Sequence, residues 1–111
     1  MLLIDTHTHL FTKNFDNDLD AVMQRAKDAG VGLMLLPAID SESTERMKSV
    51  CERFPALVKP MMGIHPCSVT KDYKNQLAVV KAELNQGGYV AVGEIGLDLH
   101  WDKESLPVQI A

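Results

Sequence analysis

Leu2-Leu3-Ile4-Asp5-Thr6-His7-Thr8-His9 begins apolar and turns polar at Asp5, as a buried strand does when its carboxyl end surfaces. Residues two apart on a strand share a face, so the imidazoles of His7 and His9 are expected side by side at that end. Neutral imidazole suits zinc, manganese and iron-group ions, which makes the pair half of a metal site. The same stretch bears on the fold. A dinucleotide-binding sheet would lead from its first strand into a glycine-rich phosphate loop, and here the strand leads into histidines.

Downstream, strand-like and helix-like segments alternate. Asn17 or Asp16 is expected to cap a helix in which Leu19, Val22, Met23 and Ala26 share one face, with Gly30 ending it. Gly32-Leu33-Met34-Leu35-Leu36-Pro37-Ala38 reads as a strand covered on both sides. Asp40 or Ser41 then caps a helix presenting Met47, Val50, Cys51 and Phe54, closed by Pro55. A third strand, Leu57 to Ile64, carries Pro60, a residue foreign to strand interiors, and runs into His65-Pro66. A third helix from about Asp72 presents Tyr73, Leu77, Val80 and Leu84 and stops at Gly87-Gly88. The fourth strand is Tyr89-Val90-Ala91-Val92-Gly93-Glu94. Strand starts near residues 2, 32, 58 and 89 give intervals of 30, 26 and 31 residues, the size of a repeated βα unit.

Strands separated by helices pair in parallel through right-handed crossovers. His7 and His9 end the first strand, His65 the third and Glu94 the fourth. Functional side chains gathered at several strand ends are the mark of a (β/α)8 barrel rim. The expected fold class is therefore α/β, with parallel βα repeats forming the N-terminal half of a TIM-type barrel of about four strands and three helices. A complete barrel typically takes about 250 residues, so residues 1–111 are read as one domain that forms part of such a barrel.

Composition narrows the function classes. The chain is 46% hydrophobic and 23% charged, with a formal net charge of −4. That balance argues against a broad basic surface tracking a nucleic-acid backbone, but is compatible with a nuclease whose positive charge comes from bound metal. No apolar run reaches the roughly 18 residues of a membrane span, and the amino terminus lacks the pattern of a signal peptide. Cys51 and Cys67 form neither a Cys-x-x-Cys pair nor a disulfide framework. A cytoplasmic location with no membrane partner is expected.

Asp5-Thr6-His7-Thr8-His9-Leu10, Gly63-Ile64-His65-Pro66 and Gly93-Glu94-Ile95-Gly96-Leu97-Asp98 resemble three signature blocks of the TatD family of metal-dependent deoxyribonucleases, in order and in approximate separation. The first block is shared across the wider amidohydrolase-like superfamily; the third is far more specific. Trp101-Asp102-Lys103, with Gln109, also resembles the stretch that follows in some members. The resemblance implies that residues 1–111 are the N-terminal part of a metal-dependent hydrolase barrel that cleaves phosphodiester bonds in DNA with one or two divalent ions, magnesium, manganese or zinc. It implies that His7, His9 and Glu94 are metal ligands, with Glu94 placed to bridge to a second ion, and that His65 lies near the substrate phosphate. Members of the family continue through four more strands, which bring two further histidines and an aspartate; these lie outside this sequence.

Read from the residues alone, a carboxylate within Val90-Ala91-Val92-Gly93-Glu94-Ile95 needs a buried partner, which a metal supplies. His65 before Pro66 reads equally as a turn residue and as a rim residue. Asp98 is placed to orient a ligand or accept a proton from water, or else to cap a turn. The candidate catalytic set is therefore Glu94, Asp98 and His65. Gly93 and Gly96 supply backbone freedom. Trp101 serves either as a base-stacking or as a packing residue, and Cys51 belongs to the core. Two other functions compete. A hydrolase of small-molecule amides or esters would keep the histidine pair but commonly has lysine where Glu94 stands. A non-catalytic barrel fragment would use its open edges to oligomerise. Unpaired edges and an open apolar face favour self-association or pairing with the missing half in either case.

Overall fold

A computed structural model describes all residues from Met1 to Ala111. Four strands, β1 (Leu3–Asp5), β2 (Val31–Pro37), β3 (Val58–Met62) and β4 (Ala91–Val92), form one sheet in the order β1-β2-β3-β4. Every neighbouring pair is parallel, with Leu3 beside Val31, Met34 beside Val58 and Met61 beside Ala91. Helices α1 (Leu19–Asp28), α2 (Thr44–Arg53) and α3 (Tyr73–Gln86) make the crossovers, and a short α4 (Leu106–Ile110) follows β4. This is the expected half-barrel, with one short helix more than the sequence announced.

The helix starts differ from expectation because side chains found other partners. Asp16 is engaged by the Arg46 guanidinium, which also donates to the Phe11 carbonyl at 2.8 Å, so α1 begins after Asp18. Asp40 does cap, but one turn early: its carboxylate accepts the Ser43 amide at 2.7 Å, and α2 proper starts at Thr44. Gly30 and Gly87, at φ 87° and 83°, end α1 and α3 in a backbone region that side chains disfavour. Pro60 sits within β3 because its carbonyl side faces β4: Val90 donates to Pro60 at 3.0 Å, and the missing amide faces the shortest strand.

The core lies between the sheet and the helices. Met34 and Leu36 of β2, and Ala38 just after it, alternate inward to meet Met23 of α1, Met47 and Val50 of α2, and Phe11 from the first loop. Cys51 packs against this cluster, and burial pushes its thiol up to about 11. Expected coverage on both faces of β2 is not met: Leu33 and Leu35 keep partial exposure. The same holds at both edges. Ile4 is 54% exposed and Val92 57%. The fourth strand is regular only at Ala91–Val92 rather than from Tyr89 to Glu94. No residue of α3 is fully buried, and its Leu77 and Val80 line, with Val92 and Ile95, a cavity of about 270 Å³. The radius of gyration, 14.9 Å, exceeds the roughly 13 Å of a compact domain of this length, as an open half-barrel requires.

Candidate metal centre

Past its last paired residue, β1 continues along its neighbour: Thr8 donates to the Leu35 carbonyl at 3.1 Å, and the His7 amide donates to the Asp5 carboxylate at 3.1 Å. The two imidazoles then project together, with Nε2 atoms 3.2 Å apart. Beyond β3, His65 is held by its amide on the Ile39 carbonyl at 2.8 Å. Gly93, at the end of β4, donates to the Met62 carbonyl at 3.0 Å. Four chemistry-bearing side chains from three strand ends thus meet on one rim.

Glu94 is the hub. Its Oε2 lies 3.2 Å from His7 Nε2 and 3.3 Å from His9 Nε2, and its Oε1 lies 3.3 Å from His65 Nε2. Oε2 is shut off from solvent and receives no properly directed hydrogen bond. A buried carboxylate oxygen without a donor is costly, and the histidines approach it without aiming a proton at it. A shared cation resolves this. Ligand atoms about 2.0–2.2 Å from one ion at tetrahedral angles stand roughly 3.3–3.5 Å apart. The three separations of 3.2, 3.2 and 3.3 Å among His7, His9 and Glu94 are close to that triangle, so the residues present fit a divalent metal.

The histidines are not equivalent. His9 Nδ1 lies 3.1 Å from the Pro37 carbonyl; a carbonyl only accepts, so Nδ1 carries the proton and Nε2 offers its lone pair inward. Burial, opposed by the Glu94 charge, holds the His9 ring below its ordinary pKa, which favours that neutral form. His65 has the reverse arrangement. Its Nδ1 accepts the Cys67 amide at 3.1 Å, so in the neutral ring Nε2 carries the proton, 3.3 Å from Glu94 Oε1.

Asp98 stands one contact further out. Its carboxylate accepts the His100 amide at 2.6 Å, the Trp101 amide at 3.2 Å and the Cys67 thiol at 3.2 Å. The His100 amide first, then the Cys67 thiol, hold its carboxyl below the usual range, while the same contact pushes the exposed Cys67 thiol up. The structure therefore brings His7, His9, His65 and Glu94 together and joins Asp98 to them through Cys67. Reading the sequence gave no role in the site to three contributors. Pro37 acts through its carbonyl, which no side-chain pattern encodes. Gln109 clasps the Asp98 backbone, receiving its amide at 2.8 Å and donating to its carbonyl at 3.1 Å. Gly63 lies against Glu94, and its place in Gly63-Ile64-His65-Pro66 was the available signal.

Fold and donor set define a class: a parallel βα half-barrel with nitrogen and carboxylate donors converging on its carboxyl-end rim. The family model described as TatD related DNase matches residues 4–111, and the chain belongs to that family. It is 32% identical over 108 residues to the Bacillus subtilis uncharacterized metal-dependent hydrolase YabD, covering 97% of this chain and 42% of that protein. It is 36% identical to the human deoxyribonuclease TATDN3, covering 86% of this chain and 38% of that protein. The crystal structure of the TatD homologue YjjV from Escherichia coli superposes with a TM-score of 0.86 at 34% identity, over 97% of this chain and 42% of that one. The chain thus spans about two fifths of the relatives it matches. No helix is long and apolar enough to cross a membrane.

Proposed function

We propose that this chain is the N-terminal part of a single-domain barrel hydrolase that cleaves phosphodiester bonds in DNA with the help of one or two divalent ions. The observation that carries the reading is the near-equilateral set of donor atoms on His7, His9 and Glu94 around an otherwise partnerless carboxylate oxygen. Names of similar proteins support the substrate class, since the relatives include deoxyribonucleases and 3′-5′ single-stranded DNA/RNA exonucleases.

His7, His9 and Glu94 would hold the ion, and the identity among magnesium, manganese and zinc is left to experiment. When bound, such an ion lowers the pKa of water toward neutrality and neutralises charge on a phosphodiester. His65, whose Nε2 lies 3.3 Å from Glu94 Oε1, stands beside that oxygen while Oε2 faces the histidine pair, and sits where a phosphate oxygen could take the Nε2 proton in hydrogen bonding. Asp98, with its carboxylate occupied, anchors the loop and acts on the centre through Cys67 and His65. The open edges at β1 and β4 are to be closed by the remaining half of the barrel or by a second copy of the chain. The unpaired thiols of Cys51 and Cys67 suit a reducing, cytoplasmic setting.

The test is release of nucleotides from single-stranded DNA by the chain with Mg²⁺ or Mn²⁺, beside Glu94→Gln. Metal-dependent release abolished by the substitution supports the reading. Release that survives Glu94→Gln refutes it.

A further inference from the structure

We propose that the loop after β4 presents a platform for an unpaired nucleobase, made of the Trp101 indole backed by His100; this rests on the nucleic-acid reading above. Trp101 is 78% exposed, the more notable because a large aromatic ring is ordinarily buried over much of its surface. Its ring meets that of His100 edge to face, with centroids 4.7 Å apart and planes at 85°. A T-shaped pair leaves at least one indole face open for stacking.

The exposed ring rides on a fixed backbone. Asp98 Oδ1 receives the amides of both His100 and Trp101, at 2.6 and 3.2 Å. Asp98 is itself clasped by Gln109 through its amide and its carbonyl, and the Gln109 amide group also donates to the Ser105 hydroxyl at 2.8 Å. Holding the backbone beneath the ring in advance lowers the entropy cost of binding. The platform is also tied to the metal centre by contacts alone. Asp98 Oδ2 takes the Cys67 thiol at 3.2 Å, the Cys67 amide reaches His65 Nδ1 at 3.1 Å, and His65 Nε2 lies 3.3 Å from Glu94.

The surroundings select the ligand chemistry. Asp102, Lys103 and Glu104 follow the ring, and two acids to one base make a poor phosphate cradle. Asp102 is turned inward on the amides of Glu104 and Ser105. What remains outward is an aromatic face, which recognises a base rather than a backbone and tolerates any base. Bases in a duplex already stack on one another, so the occupant is a single-stranded segment.

Trp101 is the only tryptophan of the chain, so intrinsic fluorescence reports on this position alone. The experiment titrates the 111-residue chain, with Mg²⁺ present, with a cleavage-resistant phosphorothioate oligothymidylate and with an abasic phosphorothioate strand of equal length. Quenching by the base-bearing strand and not by the abasic one is the expected result. Trp101→Ala should weaken binding of labelled oligothymidylate between about 5- and 150-fold, the range of one stacked base, while Trp101→Phe keeps most of the affinity. Equal quenching by both strands, or no quenching, overturns the proposal. So does a concentration-dependent blue shift that makes the emission insensitive to either strand, because a second copy of the chain then covers the ring. Hydrolysis is not part of the readout: base-dependent quenching together with nucleotide release that survives Glu94→Gln would retain the platform and remove the proposed metal-site nuclease reading.

Discussion

A β-carbon added to Gly63 would stand 2.7 Å from the carbonyl oxygen of Glu94 and 2.7 Å from the carbonyl carbon of Gly93. Both obstacles are backbone, with no flexible side chain to yield. The end of β3 and the loop after β4 meet at this distance because residue 63 is glycine. His65 and Glu94 are brought within reach of each other by that approach.

Gly63→Ala is accordingly expected to push Glu94 away from the histidines. Forced overpacking of this kind costs about 1–3 kcal/mol, to be read as a loss of stability in urea denaturation. Mn²⁺ affinity, measured by calorimetric titration, should fall at least about tenfold. A variant with unchanged stability and affinity would mean that the backbone contact does not set the site.

The opposite proton placements on His9 and His65 predict unequal roles. His9→Ala removes a donor atom and should abolish measurable Mn²⁺ binding. His65→Ala leaves His7, His9 and Glu94 in place and should weaken binding about tenfold, as loss of an outer partner does. Calorimetry on both variants checks the order, and the reverse order would contradict the proton assignment.

Away from the rim, the Tyr89 hydroxyl donates to Glu83 at 2.6 Å, and Lys48 lies 3.4 Å from the same oxygen. The Tyr89 hydroxyl first, then Lys48, hold the Glu83 carboxyl below its ordinary 4.5. A depressed carboxyl stabilises the fold above its unfolded pKa and loses that contribution as pH falls through its folded value. Burial and Glu83 push the Tyr89 hydroxyl above its ordinary 10.0, so its side of the interaction is intact below that pH and fades only in stronger alkali. Tyr89→Phe should therefore cost about 1 kcal/mol at neutral pH. Urea denaturation at pH 7 and at pH 3 checks this: the difference between variant and wild type should shrink at the lower pH. A difference independent of pH would assign the loss to packing.

Much of this was legible in the residues. Period-2 and period-3.6 patterns separated the elements, and the histidine pair marked a carboxyl end because side chains two apart on extended chain share a face. Exposure was not legible. Val90, Val92 and Ile95 are apolar and sit at an open edge; hydropathy records what a side chain favours and not whether a neighbouring strand is there to cover it. For Asp98 the residues left two readings open, a ligand-orienting or proton-accepting group and a turn cap; its contacts to Cys67, His100 and Trp101 show it holding the turn. The start of α1 moved because Asp16 pairs with Arg46, thirty residues later, a tertiary contact that no local pattern contains.

The central claim is that His7, His9 and Glu94 form one cation site, and the most direct test is thermal melting of wild type and Glu94→Gln across the same Mn²⁺ titration. A ligand at a hundred times its Kd stabilises by about 2.7 kcal/mol, which for a domain of this size moves Tm by roughly 10 °C or more. The account predicts that rise in the wild type and little or none in Glu94→Gln. Equal rises in both proteins would contradict it.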